Sequence, residues 1–108
     1  MSVERLAHAV LMPGFPGLEA PEWILRRVEQ GLGGVVLFAW NVGDRGQVAR
    51  LAASLGDVVV ATDEEGGDVT RLEAATGSSY PGNLALGAVD DVELTRRVAS
   101  SMGAELRA

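Results

Sequence analysis

Cysteine is absent from these 108 residues, which excludes disulfide staples and thiolate metal sites and leans mildly toward a reducing compartment. Basic residues are few. Lys and Arg number 9 against 15 Asp and Glu, a net charge of −6, so no basic stripe exists to neutralise phosphates and a nucleic-acid partner is not expected. Arg26-Arg27 and Arg96-Arg97 are isolated pairs within helical patterns, most simply solvated faces. Long apolar runs are also missing: none approaches the ~20 residues that span a bilayer, so no membrane partner is expected. The opening Met1-Ser2-Val3-Glu4-Arg5 carries an acid and no apolar core, unlike a signal peptide. Low-complexity tracts and charge blocks are lacking too. The expectation is one small cytoplasmic domain with an ordinary core.

What is present is an alternation of apolar runs and amphipathic stretches. Ala9-Val10-Leu11-Met12 reads as a strand that breaks at Pro13-Gly14-Phe15-Pro16-Gly17. Pro21 sits where a first helical turn tolerates it, and Ile24, Leu25, Val28 and Leu32 then recur at helical spacing before Gly31, Gly33 and Gly34 end the helix. Val35 to Trp40 is a continuous apolar run, the mark of a strand covered on both faces. Val48, Leu51, Ala52 and Leu55 trace the next helix, closed by Gly56. Asp57 to Thr62 reads as another buried strand, residues 66–87 as a long loop. Asp90 or Asp91 then caps a final helix with Leu94, Val98, Met102 and Leu106 on its buried side.

The order β-α-β-α-β-loop-α implies an α/β fold with a parallel sheet and right-handed crossovers. Three strands would leave two unpaired edges, a known liability, so the expected architecture is a partial (β/α)8 barrel of about three βα units. In such sheets ligand chemistry sits at the carboxyl ends of the strands. The most informative of these ends is Asp63-Glu64-Glu65-Gly66-Gly67, followed by Asp68 and Arg71. Adjacent carboxylates are costly unless water, a cation or a hydroxyl-rich ligand satisfies them.

Three segments together resemble the N-terminal catalytic domain of glycoside hydrolase family 3, on its β-N-acetylhexosaminidase branch. They are residues 33–41 (GGVVLFAWN), 63–71 (DEEGGDVTR) and 81–88 (PGNLALGA). The resemblance covers roughly residues 6–108 and implies that residues 1–108 are the N-terminal part of a (β/α)-barrel. The family's enzymes remove terminal non-reducing β-linked N-acetylglucosamine with retention, notably from muropeptides in peptidoglycan recycling. The implied partner is thus a small carbohydrate or muropeptide, and no cofactor is implied. Asp63 matches an aspartate that binds sugar hydroxyls, and Arg71 an arginine that holds the same ring. The physics agrees, because a carboxylate accepts paired bonds from vicinal hydroxyls and a guanidinium offers a planar donor fork.

Two positions depart from the family pattern. Glutamine is usual where Glu64 stands, and a basic residue is common where Asp68 stands. The family's Lys-His pair, acid/base histidine and aspartate nucleophile match positions beyond Ala108, so no catalytic residue is assigned here, although a retaining glycosidase needs both a nucleophile and a proton donor.

Bland readings stand beside these. Glu65, Gly66 and Gly67 read as structural, the glutamate holding loop amides. Arg71 fits either a sugar contact or an ion pair with Asp63 or Glu65. Trp40 offers a stacking face but fits packing better, Asn41 reads as a turn residue, and His8 as a partly exposed structural histidine. Two alternatives remain open. Asp63, Glu64, Glu65 and Asp68 could hold Mg²⁺ or Ca²⁺ in a metal-dependent barrel enzyme, or the chain could be a non-catalytic carbohydrate-binding remnant.

Overall fold

A computed structural model describes all 108 residues. The chain divides into two compact units, Met1–Thr62 and Asp63–Ala108. No helix is long and apolar enough to cross a membrane.

The first unit opens with α1 (Val3–Ala9), where Ser2 Oγ caps the helix by accepting from Arg5 N at 3.2 Å. Helix α2 (Glu22–Glu29) follows, with Pro21 as its N-cap residue. Then come β1 (Gly34–Leu37), a 3₁₀ turn at Ala39–Asn41, α3 (Arg45–Ser54) and β2 (Val59–Thr62). The strands pair in parallel, Gly34 opposite Val59 and Leu37 opposite Thr62. Asp44 caps α3 through Gln47 N at 2.8 Å, and Gly56 turns the chain away from it at φ +72°. Phe15, Ile24, Leu32, Val35, Leu37, Leu51 and Leu55 form the core. The helical spacing read from the sequence therefore places the right side chains inward on α2 and α3.

The sheet has two strands where three were expected. Residues 9–12 do not form one: α1 runs through Ala9, and the chain beyond it only borders β1. Gly34 N donates to Leu11 O and Val36 N to Pro13 O, both at 3.1 Å. A parallel ladder needs a return bond from residue 13, and proline has no N–H to give. Gly33 explains the close approach of this segment, since a Cβ there would lie 2.0 Å from Ala9 O.

The other strands are shorter than expected. Strand β1 stops at Leu37 because Asn41 Oδ1 accepts from Phe38 N at 2.8 Å and bends residues 38–41 into a turn. Strand β2 begins at Val59 and is not covered on both faces, for Val59 is 61% exposed. Val60, which points to the opposite face, is 36% exposed, so neither face of the strand's first half is fully covered.

The second unit contains α4 (Asn83–Val89) and α5 (Val92–Arg107). Helix α4 begins within the stretch expected to be loop, residues 66–87, and runs past it. Asp90, at φ 56°, ends α4, and Asp91 caps α5 by accepting from Leu94 N at 3.0 Å. The expected apolar side of α5 is only partly covered: Leu94, Val98 and Met102 are half-buried, Leu106 is exposed, and no residue of the helix is fully buried.

Candidate functional site

The register of β2 fixes where its loop begins. Thr62 Oγ1 donates to Leu37 O at 3.0 Å, tying down the last residue of the strand, and Asp63 is the next residue. Beyond it the chain doubles back. Glu65 N donates to Val69 O at 2.9 Å and Val69 N to Gly66 O at 3.2 Å. Gly66 makes the reversal possible: its φ is +78°, and a Cβ would lie 2.3 Å from Pro81 O. Gly67 N then donates to Tyr80 O at 2.9 Å.

The reversal is held from inside by Glu64. Its Oε1 accepts from Arg71 N at 2.5 Å and Leu72 N at 2.7 Å, and its Oε2 from Thr70 Oγ1 at 2.8 Å. Thr70, 5% exposed, uses the same hydroxyl oxygen to accept from Glu73 N at 3.1 Å. The residue that holds loop amides is therefore Glu64, not Glu65. Carboxylates at successive positions point to different sides, and the fold-back selects the first of the two.

This return brings Arg71 to Asp63, Nη2 to Oδ2 at 3.2 Å, with the side chains 28% and 49% exposed. An ion pair this open contributes only about 0–1 kcal/mol. Bonds to an ionised acceptor are each worth about 1.5–3 kcal/mol. Glu64 thus contributes more to holding the loop than the Asp63–Arg71 pair does. The half-exposed Asp63 carboxylate keeps acceptor capacity beyond its contact to Arg71. Next to a guanidinium, it can receive hydroxyl donors from a polar ligand.

The other acids do not converge. Glu65 and Asp68 are exposed, Glu64 is turned into the loop, and no group of three or more His, Asp or Glu side chains is arranged to hold a metal ion. That removes the geometric basis for a four-carboxylate cation site. In the first unit, Trp40 Nε1 donates to Phe15 O at 3.0 Å, and its ring lies 4.8 Å from that of Phe38 at 34°. Asn41 is fully buried, with Nδ2 donating to Phe15 O at 2.9 Å and Gly17 O at 2.7 Å. His8 lies on α1, its Nδ1 bonded to Glu4 O at 2.8 Å. Glu64 and Thr70 are what the sequence reading missed as organisers. A carboxylate before a Gly-Gly turn, with a threonine six residues on, is the available signal, but it does not say which of two glutamates faces inward.

The residues that follow β2 thus carry an acid–arginine pair at the carboxyl end of a parallel strand, the place where α/β proteins keep their ligand chemistry. No family model matches the chain. It is 34% identical over 89 residues to β-hexosaminidase A of Pseudoalteromonas piscicida, a match covering 69% of this chain and 15% of that protein. A glycoside hydrolase family 3 β-N-acetylglucosaminidase from Paenibacillus sp. str. FPU-7 superposes with a TM-score of 0.87 at 36% identity, over 99% of this chain and 22% of the other. A fungal multi-domain family 3 β-N-acetylglucosaminidase gives 0.87 at 34% identity, over 97% and 14%. NagZ from Neisseria gonorrhoeae, solved with N-trifluoroacetyl-D-glucosamine, gives 0.61 at 28% identity, over 77% and 26%. The chain belongs to glycoside hydrolase family 3, on its β-N-acetylhexosaminidase branch. It spans about a seventh of the curated relative's length and about a fifth of the Paenibacillus structure's.

Proposed function

We propose that these residues are the N-terminal part of a family 3 (β/α)8 barrel that, when complete, hydrolyses terminal non-reducing β-linked N-acetylhexosamine with retention. Asp63 and Arg71 hold the sugar. The observation that carries this reading is the half-exposed Asp63 carboxylate, met by Arg71 at 3.2 Å in the loop directly after β2. Vicinal hydroxyls can donate to such a carboxylate while the guanidinium fork binds ring oxygens. The bonds from Gly34 and Val36 to Leu11 and Pro13 support giving residues 11–13 the place of the barrel's first strand. Muropeptides fit as natural substrates, and the cytoplasm as the compartment. Retaining hydrolysis needs a nucleophile and a proton donor. His8, the one histidine in the sequence, is engaged on α1, so the bond-breaking groups belong to other parts of the complete enzyme.

Turnover of an aryl N-acetyl-β-glucosaminide tests the reading. The complete enzyme is expected to cleave it, and the 108-residue chain alone is not. Asp63→Ala in the complete enzyme should lower kcat/KM about a hundredfold, the loss of a charged hydrogen-bond partner. Unchanged efficiency would remove Asp63 from the site. Sugar binding without turnover by the complete protein would instead indicate a carbohydrate-binding module.

A further inference from the structure

We propose that Glu64 is a positioning residue for this sugar site, acting through Arg71 by the reach of its side chain rather than by its charge. The inference rests on the sugar-site reading of Asp63 and Arg71. Arg71 meets Asp63 between partly exposed side chains, a contact that by itself contributes only about 0–1 kcal/mol. Its backbone is held by Glu64, whose Oε1 takes both the Arg71 and the Leu72 N–H while Oε2 takes the Thr70 hydroxyl. These three donors are neutral, so an uncharged oxygen at the same distance can still accept from them and keep the backbone geometry, although each bond is weaker than one to the ionised carboxylate. An amide of the same length supplies such an oxygen. Its oxygen can accept from both backbone N–H groups, and its NH₂ can donate to the Thr70 oxygen, which has a second lone pair besides the one taken by Glu73 N. Aspartate keeps the charge but falls one methylene short of the amides.

Kinetics of the complete enzyme on an aryl N-acetyl-β-glucosaminide, with melting curves to confirm folding, separate the possibilities. Glu64→Ala and Glu64→Asp are expected to raise KM about tenfold with little change in kcat, a loss of about 1.4 kcal/mol. Glu64→Gln should recover most of that loss, staying within about threefold of the parent, by the same conversion. In an Arg71→Ala background, Glu64→Asp should cost nothing further, since the residue it acts through is gone. A Gln variant as impaired as Ala, or additive losses in the Arg71→Ala background, overturns the inference. Should Glu64→Asp fail to fold, Thr70→Val carries the same cycle, with a smaller rise in KM that vanishes when Arg71 is alanine. If Arg71→Ala alone leaves KM unchanged, the sugar-site reading itself fails. If Arg71→Ala is impaired while Glu64→Asp and Thr70→Val are not, only the positioning role falls.

Discussion

Asn41 shows how one polar side chain can decide the course of three backbone segments. It bonds Phe38 N, Phe15 O and Gly17 O while wholly excluded from solvent. Trp40 Nε1 also reaches Phe15 O, so truncation at position 41 would take one hydrogen bond from the Phe38 N–H and one from the Gly17 carbonyl. Both bonds are only partly buried, so each is worth about 0.5–1.5 kcal/mol, and Asn41→Ala should destabilise the first unit by roughly 1–3 kcal/mol, read from chemical denaturation. A change below about 0.5 kcal/mol would mean that water replaces the amide. The sequence marked Asn41 only as a turn residue. Its partners at 15 and 17 are more than twenty positions away in the chain, a separation at which local pattern says nothing. Asp63 and Arg71, by contrast, were named through the family resemblance, with Asp63 and Glu65 both open as Arg71's ion-pair partner, and the structure brings Asp63 to it. Glu64 was not legible as the residue that holds the loop, for the reversal over Gly66-Gly67 could have turned either glutamate inward.

Helix termini give the clearest case at the scale of elements. Asp91 caps α5 by accepting from Leu94 N, while Thr95 Oγ1 donates to Asp91 O. Asp91→Ala should reduce the stability of the second unit by about 1 kcal/mol, seen as faster amide exchange in the first turn of α5; unchanged exchange would rule the cap out. The longer helices were readable because α2, α3 and α5 keep a helical period over two turns or more. Helix α4 was not: it has seven residues, one of them buried, and glycine at 87, so no period can emerge. The first expected strand failed for a different reason. Ala9 is the last residue of the α1 helix that Ser2 starts and Val10 its C-cap, and Pro13 denies β1 the return bond that would make the flanking chain a strand. Apolar content alone cannot tell a helix end from a short strand.

On the scale of the whole chain, apolar surface left open is the feature that most constrains behaviour. Val59 and Val60 on β2 are 61% and 36% exposed, and Leu84, Val92 and Leu106 on the second unit's helices are exposed as well. Full burial of one such side chain is worth about 1.5–3 kcal/mol, so several together drive association unless something covers them. Strand β2 also has no partner on the side away from β1, a template for edge-to-edge pairing. The 108-residue chain, purified alone, is therefore expected to enhance the fluorescence of an apolar dye such as ANS and to self-associate with rising concentration in sedimentation velocity. Val59→Lys should weaken both, because a charge on an exposed strand opposes pairing without disturbing the buried core. A complete barrel that covers β2 should bind little dye, which links this measurement to the proposed architecture. A monomeric, dye-silent 108-residue chain would instead show that the open strand is tolerated in water, and the case for a covering barrel would then rest on the family match alone.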